Sequence, residues 1–213
     1  QNANDAPWTA TYPVILNSSD FPSYMSPEPQ QLATSFRAQR AINMIKEDSS
    51  ITFKELVDYK LNTGMEVADR FLDDLLEAVK EHPDSLANEA ASVLVKWDKS
   101  TNSDSRGAIL FANWFDKIDN SMFAIPWSAD NPVSTPDGLS EKKLAVSLLA
   151  DAAREVNETY GSLDIAWGDV NRFIIGKKEF PGNGGRHDLG VFRTMYFQEI
   201  EIISKTNNYA FNG

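Results

Sequence analysis

The sequence predicts a mainly α fold with a few short strands, and three observations carry that prediction. Apolar residues recur at helical spacing from about residue 31 to residue 160. The first 30 residues hold five prolines, which fix φ, remove donors and leave no room for a long helix. After Trp167, six glycines fall within 23 positions, so close turns replace helices.

Each element follows in order. Residues 1–30 carry Pro7, Pro13, Pro22, Pro27 and Pro29, together with Trp8, Tyr12, Ile15, Phe21 and Tyr24. A solvated linker has no use for those rings, so this is an extended segment clamped against a larger body. Residues 31–213 form one mainly helical domain, itself incomplete. Leu32, Phe36, Ile42 and Ile45 make a first stripe, flanked by Arg37, Arg40 and Lys46. Thr52 and Glu55 have capping-box spacing. Over 64–81, Val67, Phe71, Leu72, Leu75 and Val79 recur at helical spacing, with Asp69, Asp73 and Glu77 facing away, until His82-Pro83 stops the helix. Asp84 or Ser85 caps the next helix, whose buried face runs through Ala90, Leu94 and Trp97. A polar break follows, then a helix near 105–118. A proline-bearing loop spans 126–138. Ser140 starts a long helix that Gly161 ends. Val191–Phe197 reads as a strand.

Composition removes several functions. The 213 residues carry 31 acidic and 20 basic side chains, a net charge of −11. Nucleic acid and anionic membrane surfaces both require clustered Lys and Arg, so neither is expected as a partner. No apolar run approaches the roughly 18 residues of a membrane span. There is no cysteine, which excludes disulfides, thiolate metal sites and a Cys nucleophile. The first residue is Gln1, and no charged-then-apolar leader follows. The expectation is an internal piece of a longer chain.

A search for chemistry finds no complete catalytic set. The two histidines, His82 and His187, are far apart and match no ligand pattern, so no metal site is expected. Paired carboxylates such as Asp73-Asp74 lie on the polar face of a strong helix. There is no GxSxG elbow, and Gly182–Gly185 lacks the phosphate-loop pattern. One segment stands out: Gln1-Asn2-Ala3-Asn4-Asp5-Ala6-Pro7-Trp8. A side-chain amide held in a rigid, non-helical turn is either an ordinary turn residue or a donor of the kind that stabilises an oxyanion.

Several motifs in order resemble the large subunit of the penicillin acylase family, the N-terminal-nucleophile amidohydrolases. They are Asn2, Asn4 and Pro7; Phe36-Arg37-Ala38-Gln39-Arg40; Trp97-Asp98; Ser105-Arg106-Gly107-Ala108; Trp167-Gly168-Asp169-Val170-Asn171-Arg172; and the run from Gly184 to Arg193. The sequence is most similar to the branch with aculeacin acylase and the acyl-homoserine-lactone acylases. The resemblance implies a fragment of an αββα fold. It implies hydrolysis of a linear amide (a penicillin, an N-acyl-homoserine lactone or a lipopeptide side chain) by an N-terminal Ser whose own α-amine is the base. Gln1 is no such nucleophile, so the isolated chain should be inactive. By position, Asn4 matches the oxyanion donor, and Arg37 the arginine that orients that Asn and the α-amine. Arg40, three residues on and on nearly the same face, is the rival. The implied partners are the remainder of the large subunit, a small subunit and a small-molecule amide. The implied location is the periplasm or beyond. No cofactor is expected, although calcium is possible in the parent protein, with Asp20 as a contributor. The alternative is a helical binding or structural domain of a secreted protein, without catalysis.

Overall fold

The computed structural model describes residues 5–25, 33–175, 177–199 and 208–210. Its helices form where apolar stripes and capping residues coincide. α1 (Pro7–Ala10) is a single turn with Pro at its start, where a missing N–H costs nothing. Trp8 is buried there, with its ring 5.2 Å from that of Phe21. Two further short turns follow before residue 26.

α2 (Phe36–Ile45) is capped by Ser35, whose hydroxyl accepts from the Ala38 N–H. α3 (Phe53–Lys60) has the predicted capping box of Thr52 and Glu55, yet buries none of its residues. α4 (Glu66–Glu81) ends at His82. α5 (Ser85–Leu94) takes Asp84 as its cap, with the carboxylate accepting from Leu86 and Ala87 N–H at 2.9 Å each. α6 spans Ala108–Phe115, shorter than the 105–118 expected. Its N-cap, Gly107, sits at φ +118°, with Trp97 packed so closely that a Cβ would lie 2.7 Å from the Trp97 Cβ. α7 (Lys142–Tyr160) ends on Gly161 in the left-handed region, as the sequence predicted.

α4 is the centre of the core, packed against α2, α5 and α7, while α6 packs on α7. Phe71 of α4 is fully buried and its ring stacks on Phe123 at 4.8 Å and on Phe115 at 5.8 Å, with Phe36 edge-on at 6.1 Å. Buried Trp114 donates its indole N–H to the Ala145 carbonyl at 3.0 Å, which joins α6 to α7.

The strands are short and lie at the margins. β1 (Phe123–Ile125) and β2 (Asp137–Leu139) pair antiparallel. After the one-turn α8 (Trp167–Val170), β3 (Asn171–Ile175) and β4 (Lys178–Pro181) form an antiparallel hairpin with Phe173 opposite Phe180. β5 (Gln198–Glu199) and β6 (Asn208–Ala210) complete a four-stranded sheet in the order β4-β3-β6-β5, with β6 parallel to β3.

Two expectations are corrected here. The stretch from Trp167 to Gly182 holds a strand pair where only turns were expected. Residues 191–197 are not a strand. Their single ladder-type pairing joins Thr194 to Gly185. The physical reason is that this stretch spends its backbone groups on loops. Arg193 N–H donates to the Asn62 carbonyl and Thr194 N–H to the Phe192 carbonyl, both at 2.9 Å, while the bond from Met195 N–H to the Gly185 carbonyl belongs to that one bridge.

Candidate active site at the start of the second helix

The site is organised around the first turn of α2. Asp5, the neighbour of Asn4 in sequence, grips the cap residue of that helix. Its carboxylate accepts from the Ser35 hydroxyl at 2.7 Å and from the Ser35 backbone N–H at 3.0 Å. A second tie runs beside it, from the Thr34 hydroxyl to the Thr9 carbonyl at 2.9 Å. The proline-rich segment is thereby anchored two residues before Arg37. Asn4 itself, with the rest of residues 1–4, lies outside the described residues.

Arg37 is partly buried. Its Nε donates to the Phe192 carbonyl at 3.4 Å, and its guanidinium carbon lies 5.4 Å from the centre of the Phe192 ring. The Lys60 ammonium lies 6.0 Å from the same ring. The rival, Arg40, is committed elsewhere. It donates to Asn62 Oδ1 at 3.1 Å, pairs with Asp69 at 2.6 Å and reaches Glu66 at 3.6 Å.

Glu66 is the other notable group. Only 3% exposed, it lies between α2 and α4. Arg70 lies 3.0 Å away, and the Asn43 amide donates to it at 3.0 Å. Burial raises the Glu66 pKa above the usual carboxylate value, against the opposing pull of Arg70 and Arg40. Arg70 also donates to the Val133 carbonyl and to the buried Gln39 side chain. Gln39 donates in turn to the carbonyls of Thr34 and Thr135, at 3.0 and 2.9 Å. This network fixes α2 in place against α4 and the 126–138 loop.

Beside Ser35 opens a cavity of about 270 Å³, lined by Phe36, Phe123, Pro126, Trp127 and Pro136. It suits an apolar group. The remaining sequence candidates are dispersed. His82 ends α4, and His187 contacts the Tyr196 hydroxyl through Nδ1. Asp73 is exposed and faces Lys99 at 3.7 Å. Asp20 accepts from the Asn17 N–H at 3.2 Å as a local cap. Among the described residues no group of three acidic, His or Cys side chains could hold a metal. No described helix is long and apolar enough to cross a membrane.

Sequence reasoning assigned no role to Asp5, Ser35, Glu66 or Phe192. Ser35 carried a usable signal, a Ser placed just before an apolar-periodic stretch. Glu66 carried none, since an acid in a first helical turn normally reads as a solvated partner of the helix dipole.

Comparison with known proteins fits this architecture. The penicillin amidase family profile matches residues 1–210. The acyl-homoserine lactone acylase PvdQ of Pseudomonas syringae pv. syringae (strain B728a) is 27% identical over 210 residues, covering 92% of this chain and 26% of that protein. The aculeacin-A acylase of Actinoplanes utahensis is 24% identical, covering 91% of this chain and 26% of that protein. PvdQ of Pseudomonas fluorescens (strain Pf0-1) is 22% identical, covering 97% and 28% respectively. The chain thus spans about a quarter of the length of the curated relatives it matches. The class is a family of amide-hydrolysing enzymes. Within it, this chain belongs to the penicillin amidase family.

Proposed function

We propose that this chain is part of an amidohydrolase that cleaves linear amides, with a nucleophile outside these 213 residues. An N-terminal Ser attacks the amide carbonyl and its α-amine takes the hydroxyl proton. The carbonyl oxygen becomes an oxyanion, to which the Asn4 side-chain amide donates a hydrogen bond. The C–N bond then breaks, the leaving amine takes the proton, and an acyl-enzyme ester remains for water to hydrolyse. Arg37 orients Asn4 and the α-amine. The single observation that carries this reading is the Asp5–Ser35 clamp, which anchors the residue beside Asn4 to the turn that bears Arg37. The engagement of Arg40 with Asp69, Asn62 and Glu66 favours Arg37 over its rival.

The relatives' names point to N-acyl-homoserine lactones or a lipopeptide side chain as substrate, and the family's name to a penicillin. The remaining large subunit and a small subunit are the partners this reading requires. Its location is the periplasm or beyond, and no cofactor takes part in the steps above. The test is Asn4→Ala in the whole enzyme, assayed on a panel of N-acyl substrates. Turnover should fall roughly 100- to 1,000-fold. A loss below about threefold would reduce Asn4 to a turn residue.

A further inference from the structure

We propose that Phe192 is a positioning residue for Arg37, so that the glycine-rich segment 184–193 serves the active site. The inference rests on the reading of Arg37 given above and deepens it. Two groups of one residue meet the guanidinium. The Phe192 carbonyl accepts from Nε, and the Phe192 ring presents its electron-rich face 5.4 Å from the guanidinium carbon. The hydrogen bond, at 3.4 Å, is long, and the ring adds a second contact from the same residue.

The ring can do this only because the backbone beneath it is fixed. Arg186 holds one end of the segment, pairing with both carboxylate oxygens of Asp116 just past α6. Gly190, at φ +75°, turns the chain against the starts of α4 and α2, where an added Cβ would collide with the Glu66 Cβ and meet the Phe36 Cβ at 3.0 Å. Val191 is fully buried. Arg193 N–H, one residue beyond the ring, is bonded to the Asn62 carbonyl at 2.9 Å. The anchors bracket Phe192 on both sides, and Phe36, which Gly190 touches, is the residue before Arg37. A guanidinium on a flexible stem loses less entropy on orienting Asn4 and the α-amine when an aromatic face already holds it.

The test is a kinetic double-mutant cycle in the whole processed enzyme, with a chromogenic N-acyl anilide as probe. Phe192→Leu keeps the apolar bulk and removes the aromatic face. It should lower kcat roughly 3- to 30-fold, the range of a partly desolvated cation–π contact, with KM nearly unchanged. Phe192→Tyr restores the face and should restore most of kcat. In an Arg37→Ala background, Phe192→Leu should change kcat by less than about twofold, because its effect runs through the missing guanidinium. An equal loss in both backgrounds, or no loss in the wild-type background, overturns the proposal while leaving the role of Arg37 intact. Arg37→Ala with unchanged kcat instead overturns the reading of Arg37, and this inference with it.

Discussion

Replacing Glu66 with Ala should destabilise the chain more than almost any other single change to a polar residue. The Glu66 and Arg70 side chains are only 4% and 13% exposed, 3.0 Å apart, and Arg40 approaches the same carboxylate at 3.6 Å. Removing the carboxyl group leaves the buried Arg70 guanidinium and the Asn43 amide without the oxygen that accepts from both. A buried pair broken on one side typically costs about 3–5 kcal/mol. With a urea slope of about 2 kcal/mol/M, the unfolding midpoint of the 213-residue chain should fall by about 1.5–2.5 M, read by tryptophan fluorescence. The double variant Glu66→Met with Arg70→Met should recover most of that loss, because a well-packed apolar pair often matches or exceeds a buried ion pair. A Glu66→Ala midpoint within about 0.5 M of wild type would refute the reasoning on the urea scale used here. So would a double variant as unstable as the sum of its singles.

The same residue predicts a pH dependence. Burial raises the Glu66 pKa in the folded chain, so the folded state holds this proton more tightly than the unfolded state. Its favourable contribution is complete below the ordinary glutamate range and is lost as pH rises through the raised value. Against Glu66→Gln, which does not titrate, wild type should lose relative stability across that window. Parallel stability profiles for the two chains would remove Glu66 as the cause.

Two local predictions follow. Gly190→Ala should cost more than about 1 kcal/mol, since the left-handed backbone and the close Glu66 and Phe36 Cβ atoms all penalise a Cβ; an unchanged urea midpoint would mean that the loop relaxes freely. Asp84→Ala should cost about 1 kcal/mol through loss of the α5 cap, with Asp84→Ser nearly neutral. Equal losses for Ala and Ser would show that the carboxylate acts through charge and not as a cap.

What the sequence determined by itself was whatever depends on neighbours a few positions away. The stripe over 64–81 specifies α4, because helical geometry stacks residues three and four apart. Thr52 with Glu55, Asp84 and Gly161 each satisfy helix-end groups within one turn, so their roles were legible too. The ordered motifs also pointed to the penicillin amidase family, which the match over residues 1–210 bears out. The tertiary structure decided the rest. Arg37 and Arg40 look interchangeable on a helix face. They part in the fold, where Phe192, some 155 residues away in sequence, meets one, while Asn62 and Asp69 meet the other. Glu66 reads as a surface acid until α2 closes over it. Residues 191–197 have the apolar content of a strand, but beyond the one Thr194–Gly185 bridge their backbone donors find loop carbonyls instead of a ladder. In each case the deciding partner is distant in the chain, and a single sequence carries no record of which distant groups the fold brings within hydrogen-bonding reach.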